Sequence, residues 1–305
     1  YVQVWDVSVE RQVSVKGPDA AKMMMMVSPR DMNKMAEDQC YYMPICDDNG
    51  GMLNDPVAIK LAEDHYWLSI ADGDLLQFLL GLAIGKNLQV EIEEPDVSPL
   101  AIQGPLAEDL TARVFGDVVR EIKFFRYKKL KFLDTEFVVA RSGWSKQGGF
   151  EIYVDGSDYG MPLWDAFFEA GKDLNVRAGC PNLIERIEAG LLSYGNDMTL
   201  ANTPFECGMG KFLPDKITLD CIGADTLNLD EIRSPSKVIR SLSIEYNHQI
   251  YCEEPWGIYN VNNEKVGQIT SAAYSPDFEK VVALGMIKTY SLKEEKDLYT
   301  IIKNN

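Results

Sequence analysis

The tract Arg141-Ser142-Gly143-Trp144-Ser145-Lys146-Gln147-Gly148-Gly149 lies between two apolar runs, Phe137-Val138-Val139-Ala140 and Phe150-Glu151-Ile152-Tyr153-Val154. Three glycines in so short a polar stretch turn the chain tightly, so the flanking runs are predicted to be paired strands. Side chains alternate across a strand. Glu151 and Tyr153 therefore share one face, and Phe150, Ile152 and Val154 share the other. The apolar face predicts a core. The Glu151–Tyr153 face, with Trp144 at the mouth of the hairpin, suits either ordinary packing or a small-molecule pocket lined by two aromatics and a carboxylate.

A second pattern occurs twice. Val13-Ser14-Val15-Lys16-Gly17-Pro18-Asp19-Ala20 is echoed by Leu100-Ala101-Ile102-Gln103-Gly104-Pro105-Leu106-Ala107. Each reads as strand, Gly-Pro, helix. Proline suits the first turn of a helix, and the recurrence predicts two related α+β halves. The first helix runs through the methionines to about Val27, the second to about Phe115. Between them, Asp47-Asp48-Asn49-Gly50-Gly51 predicts a hairpin turn that needs positive φ. Pro56 cannot donate to a ladder, so the returning strand breaks there and leaves Asn54 and Asp55 at a rim. Further elements are predicted as a helix over 73–85, strands over 88–92, 121–126, 130–133 and 136–140, and a helix over 182–192. In that last helix Glu185 and Glu188 lie three apart, and Arg186 is the nearby partner for a buried glutamate. Beyond about residue 207 the pattern changes to short strands and turns, over 238–245, 257–261, 265–270 and 281–288. The expected division is thus an α+β region over 1–206 and a β-rich domain over 207–305.

Composition narrows the function. The 305 residues carry a formal net charge of -17. Such a polyanion repels nucleic acid and anionic membrane, so neither is the expected partner. No apolar run approaches the length of a bilayer span. Six scattered cysteines without a Cys-x-x-Cys pair predict reduced thiols in the cytoplasm. His65 and His248 are too few and too far apart for the usual metal sites, and no metal is expected. No leader pattern precedes the first strand, and the chain opens at Tyr1 in an alternating strand.

Taken together in this order, Lys16-Gly17-Pro18-Asp19-Ala20, Gly50-Gly51-Met52-Leu53-Asn54-Asp55, Gln103-Gly104-Pro105, Gly148-Gly149-Phe150-Glu151, Arg186-Ile187-Glu188-Ala189-Gly190, Tyr194-Gly195-Asn196-Asp197 and the 271–276 segment resemble one family. It is the folate-binding aminomethyltransferase family typified by the T-protein of the glycine cleavage system. The resemblance runs nearly end to end. Three stretches depart from the usual T-protein pattern: Asn54-Asp55-Pro56, the 142–149 loop, and the 180–186 segment. The 142–149 loop, Ile45-Cys46-Asp47-Asp48 and Ser69-Ile70-Ala71-Asp72-Gly73-Asp74 instead resemble the branch of dimethylsulfoniopropionate demethylases, which pass a sulfonium methyl group to tetrahydrofolate.

The resemblance implies a three-lobed α+β fold with a β-rich C-terminal domain, tetrahydrofolate as methyl acceptor, and a small-molecule sulfonium substrate. The first lobe of the family includes a few dozen residues that would precede Tyr1. The resemblance also implies roles. Asp55 and Tyr153 are catalytic candidates. Trp144, Tyr153 and Ser69 are candidates for the substrate, and Tyr42, Asp55, Glu151 and Glu188 for folate. Two other readings stand beside this one: a true aminomethyltransferase, and a folate-binding protein without turnover.

Overall fold

A computed structural model describes residues 1–71, 73–250, 252–294 and 298–302. The chain divides into two compact units. One comprises Tyr1–Met26, Asp31–Met43 and Asn54–Pro181. The other comprises Val27–Arg30, Pro44–Leu53 and Asn182–Asn305.

The first unit is built on two sheets. The larger has six strands in the order Tyr127–Phe132, Thr135–Ala140, Gly149–Asp155, Val97–Gln103, Val2–Asp6, Val176–Gly179. The smaller has five, in the order Cys40–Tyr42, Val57–Ala62, His65–Ile70, Arg11–Lys16, Glu91–Glu93. The expected hairpin is present: Val138 pairs with Tyr153 and Ala140 with Glu151. Alternation sorts its side chains as predicted. Phe150, Ile152 and Val154 join a core with Leu110, Phe137, Leu163 and Phe167, under the helices Ala107–Phe115 and Gly160–Ala170. Tyr153 packs on the other face with Trp67 and Ile59 of the smaller sheet and with Val138 and Ala140 of its own.

The repeated Gly-Pro turns are alike in detail. Gly17 and Gly104 have φ of +134° and +126°. Ala20 N–H donates to the Gly17 carbonyl at 2.9 Å, and Ala107 N–H to that of Gly104 at 3.0 Å. A Cβ on Gly17 would lie 2.6 Å from the Gln89 carbonyl oxygen, so only glycine fits this approach. Some boundaries differ from expectation. The run over 121–126 is not a strand. Residues Asp117–Glu121 form a 3-10 turn, and Phe125, at φ +58°, leaves the extended region just before the strand opens at Tyr127. The strand expected over 88–92 is the three-residue Glu91–Glu93. The helix expected to reach 192 ends at Ala189, where Gly190 turns left-handed at φ +71°.

In the second unit, Asp47 and Gly51 close the predicted hairpin turn. The Asp47 N–H donates to the Gly51 carbonyl at 2.9 Å, and the Gly51 N–H to Asp47 Oδ1 at 2.7 Å. The main sheet is antiparallel, in the order Lys237–Ile244, Lys280–Lys288, Lys265–Ser275, Trp256–Tyr259, Tyr299–Thr300. Its long strand carries a bulge between Ile269 and Ser271. The helix Leu183–Ala189 lays Leu183, Ile184 and Ile187 against this sheet. Arg186 is buried here. Its guanidinium donates to Asp197 at 2.8 Å and to the Ser271 hydroxyl at 2.7 Å. Asp197 lies in the loop that folds back after the helix, a proximity that helical spacing does not reveal.

None of the six cysteines is in a disulfide; Cys40, Cys46, Cys207 and Cys221 are buried, Cys252 is half-buried and Cys180 exposed. No helix among the described residues is long and apolar enough to cross a membrane.

Candidate functional site

Pro56 shapes the first part of the site. With no N–H to give, it falls at the break between the successive strands Met52–Asn54 and Val57–Ala62, and its carbonyl accepts from Met43 N–H at 2.9 Å. Asp55 stands at this break, anchored by its own N–H to Asn54 Oδ1 at 2.9 Å. Tyr42, at the end of the neighbouring strand, donates its hydroxyl to Asp55 Oδ2 at 2.5 Å. Burial pushes the Asp55 carboxyl up to about 7, with the Tyr42 hydrogen bond pulling the other way. A carboxyl held near neutrality can take or give a proton under ordinary conditions.

The second part lies between the two sheets of the first unit. Glu151 is 8% exposed, and the Ser142 hydroxyl donates to its Oε2. Burial raises its pKa despite that bond. Tyr153 is 1% exposed and shares a hydrogen bond with Ser69. Its ring centroid lies 6.3 Å from that of Trp67. Burial, then the nearby Glu151, hold the phenol far above its usual titration range, so it stays neutral. Ser69 in turn sits across from Gln12 on one side and Val57 on the other.

Trp144 is half-buried in the loop after Ala140. Gln103 holds that loop: its amide donates to the Ser142 carbonyl at 3.3 Å and accepts from the Ser145 hydroxyl at 2.7 Å. Gly143 makes this possible, because a Cβ there would lie 2.2 Å from the Gln103 amide.

The structure thus pairs Tyr42 with Asp55, Ser69 with Tyr153, and Ser142 with Glu151, all within one unit. Glu188 belongs to the other unit, where it accepts from the Ser275 hydroxyl at 2.5 Å. Sequence reasoning missed Glu10. Burial first, and then the charge of Glu151, push its carboxyl up to about 8. Among the described residues, no cluster of three or more His, Cys, Asp or Glu side chains could hold a metal ion. The arrangement offers buried acceptors and a proton-accepting carboxyl, with aromatic surface alongside.

The fold and the sequence together define a class. A family model for the GCVT N-terminal domain matches residues 1–216, and one for the glycine cleavage T-protein C-terminal barrel domain matches residues 237–305. The chain belongs to the glycine cleavage T-protein family. It is 62% identical to the dimethylsulfoniopropionate demethylase DmdA of Ruegeria pomeroyi, over 94% of this chain and 78% of that protein. It is 29% identical to an aminomethyltransferase of Caldanaerobacter subterraneus, over 99% of this chain and 81% of that one. The crystal structure of the glycine cleavage system aminomethyltransferase T of Bartonella henselae superposes with a TM-score of 0.87 at 22% identity, covering all of this chain and 83% of that one. The α+β fold expected from sequence is therefore that of the aminomethyltransferases.

Proposed function

We propose that this protein is a tetrahydrofolate-dependent dimethylsulfoniopropionate demethylase. It moves one methyl group from the sulfonium to folate N5, giving 5-methyltetrahydrofolate and 3-(methylthio)propanoate. The observation that carries this reading is the 62% identity to DmdA over nearly the whole chain, against 29% to an aminomethyltransferase. The residues present fit folate. A reduced pterin is rich in N–H donors, and Asp55 and Glu151 are acceptors.

When bound, tetrahydrofolate supplies the N5 lone pair to which the methyl carbon transfers, and the C–S bond breaks to leave a neutral thioether. The thioether needs no acid, so the chain's work is alignment, exclusion of water and removal of one proton. Asp55, steadied by Tyr42, accepts the proton that N5 loses. Tyr42 and Glu151 hold the pterin. Trp144 offers a π face to the sulfonium, which attracts the cation without attacking it. Tyr153 and Ser69 complete that wall, and the neutral phenol cannot compete as a nucleophile. We assign the folate site to residues 1–206 and a β-rich domain to 207–305. The reduced thiols and the net charge of -17 favour a cytoplasmic enzyme without nucleic acid as partner.

The test is one anaerobic reaction of purified full-length protein with tetrahydrofolate and dimethylsulfoniopropionate, read by mass spectrometry. Equal amounts of 5-methyltetrahydrofolate and 3-(methylthio)propanoate are expected, and Trp144→Ala is expected to lower kcat/KM for the sulfonium by at least about tenfold. Folate binding with no methyl transfer would sink the reading.

A further inference from the structure

Gln12 lies on the strand Arg11–Lys16, is fully buried, and sits directly across from Ser69. Its side-chain nitrogen donates to the Glu10 carbonyl at 2.8 Å. That bond fixes the orientation of the amide, because turning it over would set two acceptors against each other. The other end of the amide, Oε1, is buried and has no hydrogen-bond partner among the described residues. A buried carbonyl oxygen without a donor costs stability, and such atoms are uncommon in native proteins.

The neighbours of Gln12 indicate what would satisfy it. Ser69, its cross-strand partner, is engaged with Tyr153. Glu10, whose carbonyl it holds, feels the charge of Glu151, and Ser142 already occupies one oxygen of Glu151. The groups named around it are acceptors or already engaged, so a donor from outside the protein would satisfy it. Dimethylsulfoniopropionate carries neither N–H nor O–H when its carboxylate is ionised. A reduced pterin carries ring N–H groups and an amine.

We propose that Gln12 Oε1 accepts a hydrogen bond from an N–H of the tetrahydrofolate pterin, which makes Gln12 a folate-binding residue. The inference rests on the demethylase reading above. It assigns to the strand Arg11–Lys16 a part in orienting the methyl acceptor beside the Ser69–Tyr153 pair.

The experiment uses purified full-length protein and Gln12→Met, which keeps the length of the side chain and removes its acceptor. Tetrahydrofolate Kd is measured by quenching of tryptophan fluorescence under anaerobic conditions, alongside KM for dimethylsulfoniopropionate and the ligand-free Tm. The expected result is a Kd raised about 3- to 10-fold, the size of one hydrogen bond, with the sulfonium KM within about twofold. Gln12→Asn, the same amide drawn back by one methylene, is expected to weaken folate in the same direction and serves if the methionine variant does not fold. An unchanged folate Kd in a folded variant overturns the proposal and leaves Oε1 to an internal water. A lowered Tm with unchanged Kd assigns Gln12 a purely structural role and also overturns it. A change confined to the sulfonium KM overturns it in favour of the substrate. Wild-type protein that binds no tetrahydrofolate removes the demethylase reading and this inference together. Wild-type protein that transfers methyl while Gln12→Met binds folate normally removes only the inference.

Discussion

Asp55 is the residue whose chemistry is most open to measurement. Its carboxyl is pushed up to about 7 by burial, so the proton-accepting form is lost as pH falls through that value. Under the proposed mechanism kcat should drop below about pH 7, and Asp55→Asn should abolish this limb and slow turnover by about 10²- to 10⁴-fold, the usual span of general-base effects. Glu10 bears on stability. Its folded value, about 8, lies above the ordinary glutamate value. Between about pH 4 and 8 the folded state therefore holds a proton that the unfolded chain has released, and this contribution is present at low pH and lost as pH rises. Glu10→Gln is expected to raise Tm at pH 8 and to flatten the change in Tm between pH 5 and 8; a steeper change would contradict the assignment. Asp55 was legible as a rim residue because Pro56 marks the break beside it. Glu10 was not, because an acidic residue just before a strand looks solvated until the opposing sheet is in place. Gln12 left a fainter trace. It alternates with Val13 and Val15 like an outward polar residue, yet a sheet covered on both faces buries it.

At the scale of elements, glycine placement decided most of what could be read. The hairpin around 141–154 was legible in its turn, its pairing and its two faces, since a period of two and a glycine pair leave few alternatives. Two of its glycines separate steric from conformational cost. Gly149 has φ +157°, and a Cβ there would lie 2.0 Å from the Ile102 carbonyl oxygen. Gly148 has φ +73°, with nothing within 4 Å of its Cβ position. Gly149→Ala should destabilise by roughly 2–4 kcal/mol, as backbone must move, and Gly148→Ala by only about 1 kcal/mol for the left-handed conformation. Urea melts of the two variants would check the order. What could not be read were the ends of elements set by left-handed residues without glycine. Phe125 turns at φ +58° inside a run of strand-forming residues, and nothing in its composition announces the turn. The Arg186–Asp197 pair was hidden for a different reason, since the partners lie 11 positions apart, one inside a helix and the other in the loop beyond it.

For the whole molecule, charge is the dominant unbalanced quantity. A net charge of -17 spread over 305 residues repels itself, and the compact state bears more of that repulsion than the unfolded chain. Raising ionic strength from about 0.01 M to about 0.15 M shortens the screening length from roughly 30 Å to roughly 8 Å. Tm should therefore rise over this range in a non-binding buffer; a fall would mean that favourable ion pairs such as Arg120 with Glu108 and Asp109 outweigh the general repulsion. Each of the paired sequence halves found its counterpart in the fold through the two Gly-Pro turns. How the resulting sheets stack was not legible, because it depends on faces such as those of Trp67 and Tyr153, which meet only once both sheets exist.

The cysteine pattern has a practical use. Burial pushes up the thiols of Cys40 and Cys46, and that of Cys221 to about 11; Cys252 is also raised to about 11 by partial burial. Cys207 is buried as well. Only Cys180, just past the strand Val176–Gly179, is both exposed and free. A brief, sub-stoichiometric exposure to a maleimide would therefore place a fluorophore or spin label at one position of the natural sequence. The enzyme carries its own spectroscopic attachment point, and no thiol has to be engineered in or out before its response to folate is watched in real time.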